Sequence, residues 1–361
     1  MKGSVTVEAT IPYEVRVESG LDLSSAFSSA LQPGTGVLLT DSNVESLHAP
    51  AVARVLEWSG WTVADIVTVP AGEASKSLSV YEGVVRELAA AGLPRGGTLF
   101  ALGGGVIGDL GGFVASSYMR GIDFVQLPTS LLAMVDSSVG GKVGLDLPEG
   151  KNLVGAFLQP RLVAANLDWL ETLPPREVSH GLAEVLKMGL LAGGEFFEEL
   201  GGLAAARSGN KEALQTLILH SVRYKAAVVA EDERESGLRA VLNYGHTIGH
   251  GLEAAADYDL PHGEAVAVGM LAAARLSHEK FGCDLLELHE DLLRAAGLPP
   301  KVPRVEVEAV LEAMGRDKKR RSSDRAGEYR FVLLRDVGLP ERDVPVGVEE
   351  ARHAIESILD S

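Results

Sequence analysis

The sequence predicts two units in series: an α/β unit on a parallel sheet over residues 1–175, then a mostly α-helical unit over residues 176–361. Three observations predict it. Through the first half, β-rich apolar runs alternate with amphipathic stretches, the pattern of strand and crossover helix. From Pro174 onward the apolar residues recur at helical spacing instead. Between the two patterns stands Leu173-Pro174-Pro175, where the prolines disfavour a continuing helix. A chain of 361 residues also exceeds what one core comfortably organises, and a cleft between two units is a natural place for a small ligand.

In order along the chain, Ser4 to Val17 alternates Val, Ile and Tyr with charged residues and lacks the basic start and apolar stretch of a signal peptide. Gly36 to Thr40, Thr62 to Val69, Thr98 to Leu102 and Phe124 to Leu127 read as strands, with Ser79 to Ala91 as a helix among them. Glu177 to Leu191, Lys211 to Ala230, Thr247 to Ala256 and Ala265 to Phe281 read as helices of the second half. No apolar run reaches spanning length and no repeat recurs at solenoid spacing. Hydrophobic residues at 46% and charged residues at 23% are ordinary for a globular chain, which argues against disorder.

The net charge of −17 argues against a phosphate-backbone partner, since nucleic-acid binding needs Lys and Arg to neutralise phosphates. A small anionic ligand would need a local basic pocket. The single cysteine, Cys283, can form no internal disulfide and reads as packing, which fits a reducing cytoplasm.

Gly103-Gly104-Gly105-Val106-Ile107-Gly108-Asp109 follows the strand that ends at Leu102 and precedes a helical run. Glycines there let backbone N–H groups approach phosphate oxygens, and the start of the helix favours an anion, so the segment reads as a dinucleotide pyrophosphate site. It departs from the standard fingerprint: it arrives a hundred residues in, and no acid ends the next strand, Asp123 standing before it. The expectation is a nonstandard, Rossmann-like fold. Asp41, after the strand Gly36 to Thr40, is a candidate for a ribose hydroxyl, or equally a cap for the segment that follows.

Three segments of the second half offer divalent-metal ligands: Glu184, His246 in Asn243-Tyr244-Gly245-His246, and His262 in Pro261-His262-Gly263-Glu264. One carboxylate and two imidazoles suit zinc with positions open for substrate oxygens, the arrangement of Lewis-acid chemistry. His180 and His250 are rivals, each one helical turn from a candidate. His246-x-x-x-His250 is not a protease motif, because Thr247 stands where that chemistry needs Glu. Cations also collect beside these segments: Arg120, Lys142, Lys151, Lys187, Lys225 and Arg239. Gly140-Gly141-Lys142 and Gly150-Lys151-Asn152 pair a flexible turn with an ammonium, a setting for phosphate.

Together with Leu127-Pro128-Thr129-Ser130, Val135-Asp136-Ser137-Ser138-Val139-Gly140-Gly141-Lys142, Gly181-Leu182-Ala183-Glu184 and Asn243-Tyr244-Gly245-His246-Thr247-Ile248-Gly249-His250, the glycine segment resembles the 3-dehydroquinate synthases over nearly the whole chain. The resemblance implies that Glu184, His246 and His262 hold zinc or cobalt, with His250 in the substrate pocket. It implies NAD contacts from Asp41, Glu73, Lys76, Gly105, Val106, Ile107, Gly108, Asp109, Thr129, Ser130, Lys142, Lys151, Trp169, Leu170, Glu171 and Thr172. Substrate contacts would come from Asp136, Lys142, Lys151, Asn152, Lys187, Lys225, Arg239, Asn243, His250 and the pair Lys318 and Lys319, with Arg120 reaching a phosphate pocket, that of a dimer partner included. Catalytic roles fall on Lys142, Lys187, Lys225, Arg239, Asn243 and His250, and the expected form is a cytoplasmic homodimer.

Two departures stand out. Residues Arg320 to Ala326 separate the Lys pair from the glycine that usually follows it closely, leaving open which Lys meets substrate, and Ser130 replaces a common Thr. The implied reaction converts 3-deoxy-D-arabino-heptulosonate 7-phosphate to 3-dehydroquinate and phosphate, a step towards aromatic compounds. Oxidation at C5 acidifies the neighbouring C–H, phosphate leaves, hydride returns, and ring opening precedes an aldol closure. The main rival is a cyclase for sedoheptulose 7-phosphate or an amino sugar, against which Arg239, Asn243 and the Lys pair favour an acidic substrate. A metal-dependent polyol dehydrogenase leaves the phosphate-binding lysines unexplained, and an idle NAD-binding module leaves the full set of catalytic-type residues unexplained.

Overall fold

The computed structural model describes residues 3–235, 237–316 and 328–360. Two compact units result, Met1–Pro174 with Ser221–Arg234, and Pro175–His220 with Glu235–Ser361.

The first unit runs β1 (Ser4–Val7), β2 (Tyr13–Glu18), α1 (Leu23–Ala30), β3 (Thr35–Asp41), α2 (Glu45–Trp58), β4 (Thr62–Val69), α3 (Leu78–Ala90), β5 (Thr98–Gly103), α4 (Gly105–Ser117), β6 (Asp123–Pro128), β7 (Lys142–Leu147), β8 (Gly150–Phe157) and β9 (Leu162–Asn166). Seven strands form one sheet in the order β1-β2-β9-β6-β5-β3-β4, parallel except for the antiparallel β1–β2 pair. Side chains alternate between two cores. Val37, Leu39, Leu99 and Ala101 pack with α3 and α4 on one face, whereas Leu38, Phe100 and Leu102 pack with α1 and α2 on the other. Burial on both faces explains why the sequence shows unbroken apolar runs there instead of alternation. Asp22 accepts from Ser25 N to cap α1, and Ser77 caps α3 through Val80 N. The strands β7 and β8 form a separate antiparallel hairpin.

The remaining elements are α5 (Pro175–Ala192), α6 (Gly194–Glu199), α7 (Leu203–Arg207), α8 (Lys211–Glu231), α9 (His246–Ala255), α10 (His262–Phe281), α11 (Leu286–Ala296), α12 (Val307–Arg316), β10 (Glu328–Asp336), β11 (Leu339–Gly347) and α13 (Val348–Glu356). Pro175 opens α5 at a position whose N–H has no helical partner in any case, so the expected break is a helix start. The residues of α8 divide between the units at His220 and Ser221. In the second unit, α9 and α10 approach so closely that a Cβ on Gly269 would lie 2.1 Å from the Gly245 carbonyl oxygen. The second unit also contains the antiparallel β10–β11 hairpin, which helical spacing did not predict. Its turn at Gly338 has φ +76°, a conformation glycine adopts without strain. Among the described residues, no helix is long and apolar enough to cross a membrane.

Candidate active site

In the second unit, three helices deliver three ligand atoms to one point. Glu184 lies within α5 and is wholly buried, while His246 and His262 are the first residues of α9 and α10. Left-handed Gly245, φ +78°, turns the chain into α9, and Pro261 precedes α10. Glu184 Oε1 is 3.4 Å from Nε2 of His246 and 3.4 Å from Nε2 of His262. The ligand atoms of the three residues all lie within 4.8 Å of one another.

The opposite ring nitrogens are engaged. His246 Nδ1 donates to the Tyr244 carbonyl at 3.1 Å, and His262 Nδ1 donates to Glu253 Oε2 at 3.2 Å, because those oxygens can only accept. Each Nε2 therefore points its lone pair inward when the ring is neutral. Glu184 Oε1, fully buried, has no hydrogen-bond partner. With both rings neutral, as a cation would require, the three inward-facing acceptors around a buried carboxylate fit a divalent ion, and one carboxylate with two imidazoles is a zinc-type donor set.

The electrostatics agree. Burial raises the Glu184 pKa, but the Lys187 ammonium, ion-paired with Oε2 one turn along α5, together with His262 holds it down at about 2. Burial first, then Lys187 and the neighbouring imidazoles, push His246 well below the ordinary histidine range, so it stays a neutral donor. Burial also lowers His262, yet Glu184 and Glu253 outweigh it and raise that ring to about 10. A field that favours a proton there favours a cation at the same place.

Of the rivals, His180 is engaged elsewhere, with Nε2 3.1 Å from Glu264 Oε1 and Nδ1 3.4 Å from Glu177 Oε1. His250 is exposed but sits with its ring centroid 5.1 Å from His246 and 6.0 Å from His262. Lys187 and Arg239 are each only 2% exposed, an unusual degree of burial for a cation and a mark of internal pairing. Arg239 and Asn243 share the 3₁₀ turn Leu238–Asn243 that leads into His246.

In the first unit, β5 passes through the glycine segment into α4, whose cap residue Gly104 makes no side-chain capping bond. The first-turn N–H groups at Gly105, Val106 and Ile107 thus have no side-chain cap, as an anion site requires. A Cβ on Gly108 would stand 2.6 Å from Gln126 Oε1, so glycine there seats α4 against β6. Thr129 N donates to the Gly103 carbonyl at 2.9 Å, and Ser130 Oγ lies beside Gly104. Lys76, 5% exposed, ties this region together: its ammonium is 2.9 Å from Asp109 Oδ2, 3.5 Å from Glu73 Oε1 and 2.8 Å from Asn152 Oδ1. Burial raises the Asp109 carboxyl to about 6, with Lys76 opposing the rise.

Asp41 Oδ1 accepts from Asn43 N at 2.9 Å and Val44 N at 3.1 Å, so the capping alternative is realised by one of its oxygens. Trp169 and Leu170 are buried in the 3₁₀ turn Leu167–Thr172, Glu171 and Thr172 are exposed, and Thr172 Oγ1 lies 2.9 Å from His48 Nε2. Lys225 binds Asp136 Oδ1 at 2.6 Å and the Asp136 carbonyl at 2.7 Å, within a π-helical turn, Ala133–Ser137. Lys142 and Lys151 belong to the β7–β8 hairpin, with Asn152 at φ +54°. Arg120 is exposed at φ +69°, next to Met119 at φ +52°. Lys318 and Lys319 lie outside the described residues. Reading the sequence missed Glu253 and Asp146. The signal for Glu253 was its place two turns after His246 on α9; Asp146 Oδ1, 3.8 Å from Lys76, carried none.

The pattern described as 3-dehydroquinate synthase N-terminal matches residues 66–180, and that described as 3-dehydroquinate synthase C-terminal matches residues 181–320. A 3-dehydroquinate synthase of Acidithiobacillus ferrooxidans is 45% identical over 334 residues, 90% of each chain. Among solved structures, 2-deoxy-scyllo-inosose synthase complexed with carbaglucose-6-phosphate, NAD+ and Co2+ has a TM-score of 0.89 at 28% identity, covering 98% of this chain and 99% of its own. The 2-epi-5-epi-valiolone synthase of Streptomyces hygroscopicus subsp. jinggangensis, with NAD+ and Zn2+ bound, has a TM-score of 0.86 at 27% identity, covering 96% and 97%. A chain that matches both halves of one family's pattern in order, and shares nearly half its residues with a member over nine-tenths of its length, belongs to the 3-dehydroquinate synthase family.

Proposed function

We propose that this chain converts 3-deoxy-D-arabino-heptulosonate 7-phosphate to 3-dehydroquinate and inorganic phosphate, with catalytic NAD and a zinc or cobalt ion held by Glu184, His246 and His262. The observation that carries the reading is the meeting of Glu184 Oε1 with two Nε2 lone pairs whose rings are anchored from behind. A bound ion would supply Lewis acidity towards a substrate hydroxyl, and bound NAD would supply a reversible hydride acceptor.

The chain's own groups do the rest. Lys187 offsets the charge of Glu184, so the site carries no uncompensated buried carboxylate. The uncapped start of α4 receives the NAD pyrophosphate, while Glu73, Lys76 and Asp109 fix that turn against the β7–β8 hairpin. Thr129, Ser130 and the 169–172 turn complete the cofactor contacts. Lys142, Lys151, Asn152, Arg239, Asn243 and Lys318 or Lys319 take the substrate's carboxylate, hydroxyls and phosphate, with Asp136 orienting Lys225. His250, exposed beside both ligand histidines, relays protons. The working form is a cytoplasmic homodimer in which Arg120 reaches the phosphate site of its partner.

The test is phosphate release. Purified protein with NAD, zinc or cobalt and the heptulosonate phosphate should release phosphate with no net NADH. Steady NADH accumulation, or faster turnover of sedoheptulose 7-phosphate, would overturn the substrate assignment. Light scattering on the eluting protein tests the dimer.

A further inference from the structure

We propose that Glu253 is a positioning residue for the cation site, holding His262 in the tautomer and orientation in which Nε2 can ligate. The inference rests on the reading of Glu184, His246 and His262 as the cation ligands. Glu253 lies on α9 two turns beyond His246, is 2% exposed, and accepts from His262 Nδ1 at 3.2 Å. A carboxylate that deep in a helical unit is strongly disfavoured unless a partner compensates it, and the imidazole N–H is such a partner.

The two ligand rings are held by different chemistry. Behind His246 stands a neutral backbone carbonyl, and behind His262 stands an anion. A carboxylate on Nδ1–H fixes the tautomer and raises the basicity of Nε2, so His262 becomes the stronger donor of the pair. Glu253 could instead be a ligand itself, since His250, Glu253 and His262 also offer atoms within 4.8 Å of one another. The geometry points away from that role. Glu253 faces the Nδ1 side of His262, opposite the nitrogen that meets Glu184, and an ion there would have to displace the proton that Glu253 accepts.

The test measures zinc affinity of metal-stripped protein by chelator competition, with the cobalt(II) visible spectrum as a second readout. Glu253→Gln keeps an acceptor oxygen and the side-chain volume but loses the charge. It should weaken zinc roughly 10-fold, and Glu253→Ala roughly 10- to 100-fold, each with altered cobalt bands. The metal-free Glu253→Gln protein should keep the wild-type circular dichroism. Wild-type affinity and spectrum in Glu253→Gln would overturn the inference while leaving the ligand reading intact. Two bound ions in the wild type, one lost in Glu253→Gln, would make Glu253 a ligand and overturn it too. Zinc binding unchanged in Glu184→Ala would bring down the ligand reading beneath it.

Discussion

Replacing Gly269 by alanine tests whether helix packing, and not loop geometry, sets the cation site. The added Cβ would lie 2.1 Å from the Gly245 carbonyl oxygen and 3.1 Å from Gly249 N, both main-chain atoms that no rotamer can move aside. A tolerable carbon–oxygen contact is about 3.3 Å, so α9 and α10 must part by roughly 1 Å where they cross. Overpacking of this kind costs about 1–3 kcal/mol, and a backbone clash belongs at the upper end. At about 2–4 °C per kcal/mol, the expected fall in Tm is roughly 6–12 °C. Zinc binding should suffer with it, since His246 opens one helix and His262 the other, and ligand distances of about 2 Å tolerate little displacement. The control is Gly83→Ala in α3, where a Cβ meets nothing within 4 Å. That change should leave Tm unchanged or raise it slightly. Scanning calorimetry and zinc titration of both variants decide the matter. A Gly269→Ala protein with wild-type Tm and zinc affinity would refute the packing argument.

Other perturbations bear on separate parts of the molecule. Lys76→Met should cost about 1–3 kcal/mol in urea denaturation by leaving half-buried Asp109 without its cation, and unchanged stability would contradict the hub. His289 is fully buried, and burial lowers its pKa to about 4, against the ordinary 6.5. The unfolded chain therefore takes up a proton that the folded chain refuses, so this group's stabilisation holds above pH 6.5 and is lost as pH falls towards 4. The full loss is about 3 kcal/mol, and the stability of His289→Gln should decline less steeply across that window; parallel profiles would count against it. Arg239→Ala should raise KM for the sugar phosphate more than that for NAD, and equal rises would remove Arg239 from the substrate pocket.

What could be read from the chain alone follows from which signals are local. Strands β3, β5 and β6 were visible because both faces are covered, which writes burial into consecutive residues such as Val37, Leu38 and Leu39. The hairpin β7–β8 was not, since its residues are half exposed and glycine-rich, and its Lys142 and Lys151 read as loop cations. Within the helical half, nothing in the period distinguished the apolar run Phe331 to Leu334 from another buried helix. The ligand trio was narrowed to candidates by residue type, but His180 and His250 were separated from it only by resemblance. In the folded chain His180 is already taken up by Glu177 and Glu264. Its spacing of seven put Glu253 on the His246 face of α9, but its pairing with His262 depends on a helix crossing, and sequence order does not hold that relation.

The two-core sheet has a consequence for how its strands find their alignment. In a sheet with one wet face, a one-residue slip is rejected because it drags charge inside. In β5 the residues from Thr98 to Leu102 are buried on either side, so polarity offers no such guard. Volume must do the selecting. Phe100 meets Phe27 at 5.4 Å and Trp61 at 5.0 Å, edge to face, and occupies the room left by Gly36, whereas Ala101 faces the opposite layer. A slipped strand would drive a benzyl ring into space shaped for a methyl and leave a hollow behind it, so shape alone keeps the glycine segment at the end of β5 in register.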